Sequence, residues 1–413
     1  MHSTSGPQEN LLKNQDLLRT TLHSLDLERI VMALRWLRGD APYPYPVSVH
    51  LDLTLRCTAQ CVHCKQWTWP KRNELSLTQL DRVFAIFYKW GVKTLTLGGG
   101  NPFLHTNICA ALKMAHDRGF QVGIISEGIT ISDELADTIC ECAQWIRFSL
   151  DGPRPEVHDK IRHKVGLFEL VIQNISSLVA RNSPLHVSAN CIVQKENIHC
   201  LPSMIDLAEN VGLKTLIFKI AHGDDPNNLF IPSSEQLRKF AEWINVTTNI
   251  TLGQLQTNLS QLRSLLGTVF KYEDILRGRP VRSFLLQEQI HCFVPLFFLT
   301  CDSEGYIYPC DYLQADTRQW GGEHGTMRDM FCLGNILEDS RQIIENIAVI
   351  MRHCVHVLPS TGHSECGCCT RFCQLNASLT YLKDQLHEMD INLQNITDVL
   401  GFSSGTISSS GFL

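Results

Sequence analysis

The segment VSVHLDLTLRCTAQCVHC, residues 47–64, joins an alternating apolar run to three cysteines. The alternation and the β-branched residues over 47–55 predict a strand. Cys57, Cys61 and Cys64 follow that strand within eight residues. A structural zinc site uses four protein ligands, whereas this segment offers three thiolates. Either a fourth ligand comes from elsewhere in the chain, or the fourth position is open to a group that is not protein.

The first strand begins a series of alternating strands and helices. A helical period follows at 76–91, with Ser76 or Thr78 as the N-cap, and the same order then repeats. The predicted strands are 47–55, 93–98, 121–126, 145–150, 186–193 and 214–220, and the other helices are 105–118, 132–142, 167–181 and 200–211. Neighbouring parallel strands need helical crossovers, so the series predicts an α/β fold with a parallel sheet covered by helices.

The carboxyl ends of the first four strands distinguish two architectures that share this order of elements. One is a doubly wound sheet and the other is a partial (β/α)6 TIM-like barrel. Polar and glycine-rich residues follow the strands at Cys57, Gly98–Pro102, Ser126–Gly128 and Ser149–Asp151. In barrels the chemistry gathers at the carboxyl ends of the strands. We therefore expect the partial barrel.

The strand–helix series ends near residue 220 and suggests five segments. We expect an N-terminal helical extension over 1–46, the barrel over 47–220, and a mostly helical connecting segment over 221–291 whose clearest helix is 231–244. A small C-terminal domain over 292–385 should contain a β-hairpin that turns at DSEG (302–305) and a helix near 339–352. The remainder, 386–413, is predicted to be a tail.

Composition narrows the class of protein. The 413 residues are 44% hydrophobic and 19% charged, which is typical of a globular chain with a sizeable core. A net charge of −6 gives no electrostatic footprint for nucleic acid. We find no apolar run of about twenty residues that would span a membrane. The polar start lacks a signal-peptide core, so we expect a cytoplasmic protein without nucleic-acid or membrane partners.

The seventeen cysteines are the unusual feature of the composition. An odd number in a chain without an export signal argues against a disulfide framework, and clustering at 57–64 and 366–373 suggests soft-metal ligation. Three thiolates can hold three irons of a 4Fe–4S cube and leave the fourth iron open to a small molecule. A zinc site completed by His63 is the alternative. Isolated cysteines such as Cys109, Cys140 and Cys200 are expected to pack as small hydrophobic residues.

The Cys-x3-Cys-x2-Cys motif after the first strand resembles the signature of the radical S-adenosylmethionine (radical SAM) superfamily. Three later segments resemble the same family in the same order. LGGGNP (97–102) resembles its glycine-rich segment, and ISEG (125–128) resembles its Thr-Asn-Gly turn. IRFSLDGPRPEVHDKIR (146–162) is similar to the fourth-strand segment of members that carry an auxiliary-cluster domain. The resemblance covers about 47–220.

The resemblance implies roles for particular residues. Cys57, Cys61 and Cys64 would bind the catalytic 4Fe–4S cluster. The candidates for contact with S-adenosylmethionine are Gly98, Gly99, Gly100, Asn101, Ser126, Glu127 and Ser149. The family usually has Glu where this chain has Asn101, whose amide could still accept a hydrogen bond from the methionine ammonium group, although without a charge. His63 stands where an aromatic ring near the adenine is more usual.

The C-terminal cysteines resemble an auxiliary iron–sulfur domain of the SPASM or twitch type. Cys292, Gly305 and Cys310 have the spacing of the opening of such a domain. Cys366 and Cys369 could complete a four-thiolate site, with Cys373 as the competing ligand. The resemblance therefore implies at least one auxiliary 4Fe–4S cluster. A zinc ribbon built from the same cysteines is the alternative.

The family chemistry implies an oxidoreductase or epimerase that cleaves S-adenosylmethionine to a 5′-deoxyadenosyl radical and takes hydrogen from a C–H bond. The expected substrate is a natural-product small molecule or a peptide, and the outcome is dehydrogenation, epimerisation or cross-linking. Cys301 and Cys191 are candidate hydrogen donors, with ordinary packing as the alternative. An electron donor such as flavodoxin or ferredoxin is implied.

Two other functions remain open on the sequence. One is a ribosomal-peptide or protein maturase that acts with a separate leader-binding partner. The other is a non-catalytic metal-binding protein with a degenerate barrel, in which Asn101 marks lost cofactor binding. The intact three-cysteine loop argues against the second.

Overall fold

The computed structural model describes residues 43, 45–64, 66–68, 73–221, 229–247, 255–259, 297–310 and 332–347. Several predictions lie outside these residues. They are nearly all of the N-terminal extension, most of the connecting segment, the tail, and the cysteines at 292, 366, 369 and 373. In the described part, no helix has the length and apolar character needed to cross a membrane.

Six strands alternate with helices in the described part of the barrel region. The strands are β1 Ser48–Thr54, β2 Thr94–Gly99, β3 Gln121–Ser126, β4 Ala143–Ser149, β5 His186–Val193 and β6 Thr215–Ile220. The helices between them are α1 Leu77–Trp90, α2 Ile108–Asp117, α3 Asp133–Cys142, α4 Pro155–Arg162, α5 Leu167–Ala180 and α6 Leu201–Asn210. The later elements are α7 Ser234–Thr247, β7 Gln256–Thr257, β8 Phe298–Cys301, β9 Tyr306–Tyr308 and β10 Gly334–Asn335, followed by helical residues at 340–347.

All described strands belong to one sheet in the order β10-β9-β8-β1-β2-β3-β4-β5-β6-β7. Along this order, every pair of neighbours from β8 to β7 is parallel. β9 pairs antiparallel with both β8 and β10. The prediction of a parallel sheet with helical crossovers is confirmed. Because β10 and β7 stand at opposite ends of the order, the described sheet is open, as a partial TIM-like barrel requires.

The hairpin predicted at DSEG is present, and it also extends the barrel sheet. Thr300 pairs with Tyr308 across the antiparallel β8–β9 turn. On its other side β8 runs parallel to β1, with Leu51 opposite Cys301. This contact covers the edge of β1 that would otherwise expose unpaired backbone groups. The predicted domain boundary at 292 therefore falls before a strand that hydrogen-bonds to the barrel, and the domain limits stay a prediction.

Local sequence signals explain where the first helix begins and ends. Ser76 is the N-cap of α1, as predicted for one of two candidates, and forms a capping box with Gln79. Gly91 ends the helix in the left-handed region at φ +75°. The eight-residue helix α4 was not predicted. It follows the turn-like sequence DGPR and begins with Pro155 in its first turn.

The strands alternate between two different environments. One side packs with the helices into a continuous apolar core that includes Leu51, Phe148, Val187 and Ala189. We call the opposite side of the sheet the inner face. By alternation along the strands and by their pairing, it carries Thr96, Ile125, Trp145, Arg147, Ser149, Ser188, Asn190, Ile192 and Ile217. Apolar residues of this face are only half-buried, so it is not part of the packed core.

Candidate functional site

The three predicted cluster ligands lie on one loop between β1 and α1. Cys61 is buried, and Cys57 and Cys64 are half-buried. The loop rests against the last turn of α4, where Gln60 N donates to Arg162 O at 3.1 Å and Val62 N donates to Ile161 O at 3.1 Å. These carbonyls stand at a helix end, where no intrahelical donor reaches them. The end of α4 therefore determines where the loop lies.

Burial is the main influence on the charge of the three thiols. It raises the pKa of Cys57, where Glu127 adds to the effect, and it raises the pKa of Cys64 to about 11. The pKa of Cys61 is also raised by burial, against an opposing effect of Arg162. The thiols are therefore protonated at neutral pH in the metal-free chain. Binding of a soft metal must displace these protons.

The donor set of the loop distinguishes an iron–sulfur cluster from a single zinc ion. No group of three His, Cys, Asp or Glu side chains converges on one metal position among the residues that the structure describes. A zinc ion needs its ligands around a single point. In a 4Fe–4S cluster each thiolate binds a different iron, so wider spacing is required. Three thiols on one loop match the three protein-bound irons of such a cluster, whereas zinc would need His63 as its fourth ligand, and Nδ1 of His63 lies 3.3 Å from Gln194 Nε2.

The glycine-rich segment after β2 lies directly against the cysteine loop. Gly100 N donates to Thr54 O and Asn101 N donates to Arg56 O, each at 2.8 Å. A Cβ atom on Gly100 would lie 2.4 Å from Arg56 O, and one on Gly99 would lie 2.3 Å from Thr54 O. Glycine is thus needed for the approach of two backbones. This reason is additional to the predicted approach of the cofactor.

Gly98 has a packing reason of its own. A Cβ atom there would lie 2.3 Å from Nε2 of His50, so the absence of a side chain leaves room for the imidazole ring on the neighbouring strand. The predicted contact of Gly98 with the cofactor stays a prediction.

Asn101 is completely buried and its amide is satisfied within the chain. Its Oδ1 accepts hydrogen bonds from Phe103 N and from Ser126 Oγ, each at 3.1 Å. Its Nδ2 donates to Glu127 Oε1 at 3.2 Å. Because Oδ1 already accepts two hydrogen bonds, it has no lone pair left for a ligand ammonium group. The side chain of Asn101 therefore positions other residues in this conformation.

Glu127 connects the end of β3 to the cysteine loop. Its carboxylate accepts hydrogen bonds from the backbone N–H groups of Thr58 and Ala59, each at 3.1 Å. The hydroxyl of Thr58 and the thiol of Cys57 also donate to it, each at 3.0 Å. A buried carboxylate with several donors is a strong constraint on the loop that supplies them.

The residues at 101 and 127 are related departures from the family pattern. The family has Glu in the glycine-rich segment and Asn in the turn after the third strand, whereas this chain has Asn101 and Glu127. The two side chains contact each other at 3.2 Å. Relative to the pattern that the resemblance implies, the carboxylate and the amide have thus exchanged places, and in this chain they contact each other. The departure at Asn101 was named from the sequence, but the one at Glu127 and the contact between the two side chains were not.

The two serines predicted to contact the cofactor differ in accessibility. Ser126 is buried, and its hydroxyl donates to Asn101 and accepts from Gly128 N at 3.0 Å. Ser149 is half-buried at the carboxyl end of β4, opposite Asn190 of β5. Of the two, Ser149 is the one that a bound molecule could reach.

A buried ion pair beside Cys61 was missed in the sequence. Arg162 Nη2 lies 2.7 Å from Asp151 Oδ2, and Arg162 Nη1 donates to Cys61 Sγ at 3.4 Å. Burial opposes the charge of the guanidinium, but Asp151 and Cys61 more than offset it, so the pKa of Arg162 is raised. A cation at this position stabilises the thiolate form of Cys61. Both charged residues lie in the family-like segment 146–162, yet the sequence did not show that they meet the loop.

The two candidate hydrogen donors lie in the apolar core. Cys191 and Cys301 have no exposed surface and belong to the side of the sheet that packs with the helices. The thiol of Cys191 accepts from Asn197 Nδ2 at 3.6 Å, and that of Cys301 donates to Asp302 O at 3.6 Å. Both thiols therefore have the surroundings of packing residues, away from the inner face.

The predicted auxiliary site is described only in part. Gly305 adopts φ +91° in the turn between β8 and β9, and Cys310 is buried just after β9. Cys292, Cys366, Cys369 and Cys373 lie outside the described residues, so this ligand set stays a prediction.

Comparison with known proteins identifies the central region. The family model of the radical SAM superfamily matches residues 51–208. PqqA peptide cyclase from Ruegeria pomeroyi is 28% identical over 184 residues, covering 43% of this chain and 49% of the relative. AdoMet-dependent heme synthase from Oleidesulfovibrio alaskensis is 26% identical over 271 residues, covering 64% of this chain and 69% of the relative. The match to the peptide cyclase thus spans about half of that protein's length.

Solved structures show the same fold at low sequence identity. SuiB from Streptococcus suis bound to S-adenosylmethionine has a TM-score of 0.56 at 12% identity, over 76% of this chain and 68% of SuiB. SuiB bound to the precursor peptide SuiA has a TM-score of 0.52 at 13% identity, over 72% and 67%. The cysteine loop, the glycine-rich segment and strands β2 to β5 fall within the region matched by the family, and β1 and β6 lie at its two ends. Residues 51–208 of this chain form a radical SAM superfamily domain.

Proposed function

We propose that this chain is a radical SAM enzyme that removes a hydrogen atom from a C–H bond of a peptide or of a natural-product small molecule. The observation that carries the proposal is the loop of Cys57, Cys61 and Cys64, held at the carboxyl edge of the sheet by Glu127 and Arg162. When bound, a 4Fe–4S cluster and S-adenosylmethionine together supply a 5′-deoxyadenosyl radical that can attack an unactivated C–H bond.

The chain's own residues would organise the cluster site. Glu127 holds the backbone of Thr58 and Ala59, and this contact orients the loop that presents the thiols. Arg162 favours the thiolate of Cys61 through its charge and its hydrogen bond. Cys57 donates its proton toward Glu127 in the metal-free chain. Once that thiol is deprotonated, the thiolate and the carboxylate of Glu127 repel each other, which favours a conformation in which the sulfur points away from the carboxylate.

For S-adenosylmethionine, we assign direct contact to Ser149 and to the backbone of Gly98, Gly99 and Gly100. Ser149 is half-buried at the strand end, as a contact residue requires. The side chains of Asn101 and Ser126 are satisfied within the chain, so we assign them positioning roles.

The relatives support two substrate classes. One relative is named a peptide cyclase and SuiB is solved with a precursor peptide, whereas another relative is named a heme synthase. We propose a peptide or a natural-product small molecule, with dehydrogenation, epimerisation or cross-linking as the outcome. The proposal includes an auxiliary 4Fe–4S cluster on Cys292, Cys310, Cys366 and Cys369, with Cys373 as the competing ligand, and an electron donor such as flavodoxin or ferredoxin. A cytoplasmic location stays a prediction.

The proposal is tested by replacing the three loop cysteines together. The Cys57→Ala/Cys61→Ala/Cys64→Ala variant, purified anaerobically and reconstituted with iron and sulfide, should lose cleavage of S-adenosylmethionine and part of its iron. The matched control removes three cysteines elsewhere, at 109, 140 and 200, and should retain both. The measurements are iron content, the electron paramagnetic resonance spectrum after reduction, and 5′-deoxyadenosine formed with dithionite.

Three outcomes would contradict the proposal. One is 5′-deoxyadenosine formation by the loop variant. Another is zinc without iron in the wild-type protein, which supports the structural metal site. The third is a wild-type protein that holds iron but leaves S-adenosylmethionine intact, which supports a non-catalytic barrel.

A further inference from the structure

The inner face of the sheet contains a buried cation that the cluster site does not use. Arg147 lies in the middle of β4 with 8% of its surface exposed. By alternation it faces the same side as Trp145 and Ser149. Its neighbour across the strand pair is Ser188 of β5.

Arg147 has few partners for a buried guanidinium. Its Nε lies 3.4 Å from Ser188 Oγ, and its central carbon lies 5.1 Å from the ring of Trp145. Its Nη1 is buried and has no hydrogen-bond partner among the residues that the structure describes. No carboxylate pairs with Arg147 among the described residues, and burial alone lowers its pKa to about 10. Arg162, by contrast, lies 2.7 Å from Asp151.

An unpaired buried charge is costly for a folded protein. Proteins normally pair a buried arginine with a carboxylate or remove it from the interior. The described part of this chain does neither at Arg147. An anion supplied by a bound molecule would satisfy the free N–H groups, and the planar guanidinium suits a carboxylate or a phosphate.

Other groups on the inner face also lack partners. Asn190 Oδ1 and Thr96 Oγ1 are buried without a hydrogen bond within the described chain. Unsatisfied buried polar groups are uncommon in native proteins, and these two indicate a polar ligand that also carries a hydrogen-bond donor, because Asn190 Oδ1 can only accept. Beside them, Trp145 provides a half-buried aromatic surface. Its ring occupies the space above Gly123, where a Cβ atom would lie 1.9 Å from it.

The position of Arg147 relates this face to the cofactor end of the strands. Ser149, the assigned cofactor contact, is two residues further along the same face. Two residues of a strand span about 6.6 Å. A group held by Arg147 would therefore lie one pleat repeat inside the carboxyl edge of the sheet, near the assigned cofactor contact.

We propose that Arg147 binds an oxyanion of the substrate, a carboxylate or a phosphate, with Ser188 and Asn190 beside it on the inner face. The identification of the ligand as substrate rests on the proposed function. The anion site itself does not, because its test requires neither S-adenosylmethionine nor turnover.

The test measures the thermal midpoint of the anaerobically purified full-length chain in acetate, in phosphate and in chloride at equal ionic strength. At ten times the dissociation constant, a bound anion should raise the wild-type midpoint by about 3–6 °C. Arg147→Met should lose this shift, and in chloride its midpoint should equal or exceed that of the wild type, because an unpaired charge is removed. Arg147→Lys should retain part of the shift.

The matched control is Arg162→Met, the same substitution at a paired cation, which should lower the midpoint by leaving Asp151 without its partner. A shift with acetate alone indicates a carboxylate, and a shift with phosphate alone indicates a phosphorylated substrate. The proposal is overturned if neither anion shifts the wild type more than chloride, or if Arg147→Met responds as the wild type does. Failure of the wild type to cleave S-adenosylmethionine would instead refute the proposed function and leave the anion site standing.

Discussion

Exchanging the carboxylate and the amide at positions 101 and 127 tests whether the two side chains act as one unit. Three variants are needed: Asn101→Glu, Glu127→Gln and the double variant. The first puts two carboxylates together, the second leaves two amides, and the double variant restores one of each in the order usual for the family. We expect each single variant to be destabilised and the double variant to recover much of the loss.

The structure gives the size of each effect. Asn101 Nδ2 lies 3.2 Å from Glu127 Oε1, so a carboxylate at 101 would meet a repulsion of about 5 kcal/mol at an effective dielectric constant of 20. Glu127→Gln keeps one oxygen and replaces the other with a donor. The N–H of Ala59 then loses its acceptor, which costs about 1–3 kcal/mol. In the double variant the repulsion disappears but the loss at Ala59 remains.

The assay is the free energy of unfolding under anaerobic reducing conditions, together with iron content after reconstitution. A loss of 1 kcal/mol lowers the midpoint by about 2–4 °C in a domain of this size. The control cycle combines Asn101→Glu with Glu156→Gln, which removes an exposed carboxylate in α4 and should be additive. Additivity within about 0.5 kcal/mol in the 101–127 cycle would refute the reasoning.

Two further predictions concern packing and pH. Gly100→Ala should reduce loop iron and destabilise the protein by about 1–3 kcal/mol, because the added methyl group strikes Arg56 O. Gly119→Ala, whose methyl group meets nothing within 4 Å, should lose stability only through its φ of +83° and should retain full iron content. Burial lowers the pKa of His158 to about 4. As the pH falls, the unfolded chain therefore takes up a proton at this histidine before the folded chain does. The free energy of unfolding should fall by about 3 kcal/mol as pH drops from about 6.5 to 4. His158→Asn should flatten that slope in denaturant titrations; an unchanged slope contradicts the assignment.

The local sequence pattern was sufficient to predict most of the strands and helices of the barrel region. Strands β3 and β5 begin and end at the predicted residues, and the other four barrel strands differ from prediction by one or two residues. These strands were predicted because a buried side of the sheet imposes apolar alternation and the connecting helices carry their own period. Ser76 was named because an N-cap needs a side-chain acceptor.

Contacts between distant segments were not predictable from local pattern. The pairing of β8 with β1 joins segments far apart in the sequence, and neither segment specifies its partner. The same limit applies to Arg162 with Asp151 and to Asn101 with Glu127, since each contact depends on how different strand ends meet. Arg147 shows the limit most directly. Its position on β4 was predicted, but a missing counter-ion is visible only after the neighbouring strands are in place.

The parallel pairing of β8 with β1 also affects how the protein is made. β1 is translated before every other strand of the described sheet, yet one of its two neighbours is a strand near residue 300. Until that segment leaves the ribosome, the strand that leads into the cysteine loop has an unprotected edge. Edges of this kind recruit other chains, and pairing across so much sequence is slow. Nascent chains are therefore most prone to aggregation after the helices of the barrel have formed and before the hairpin arrives.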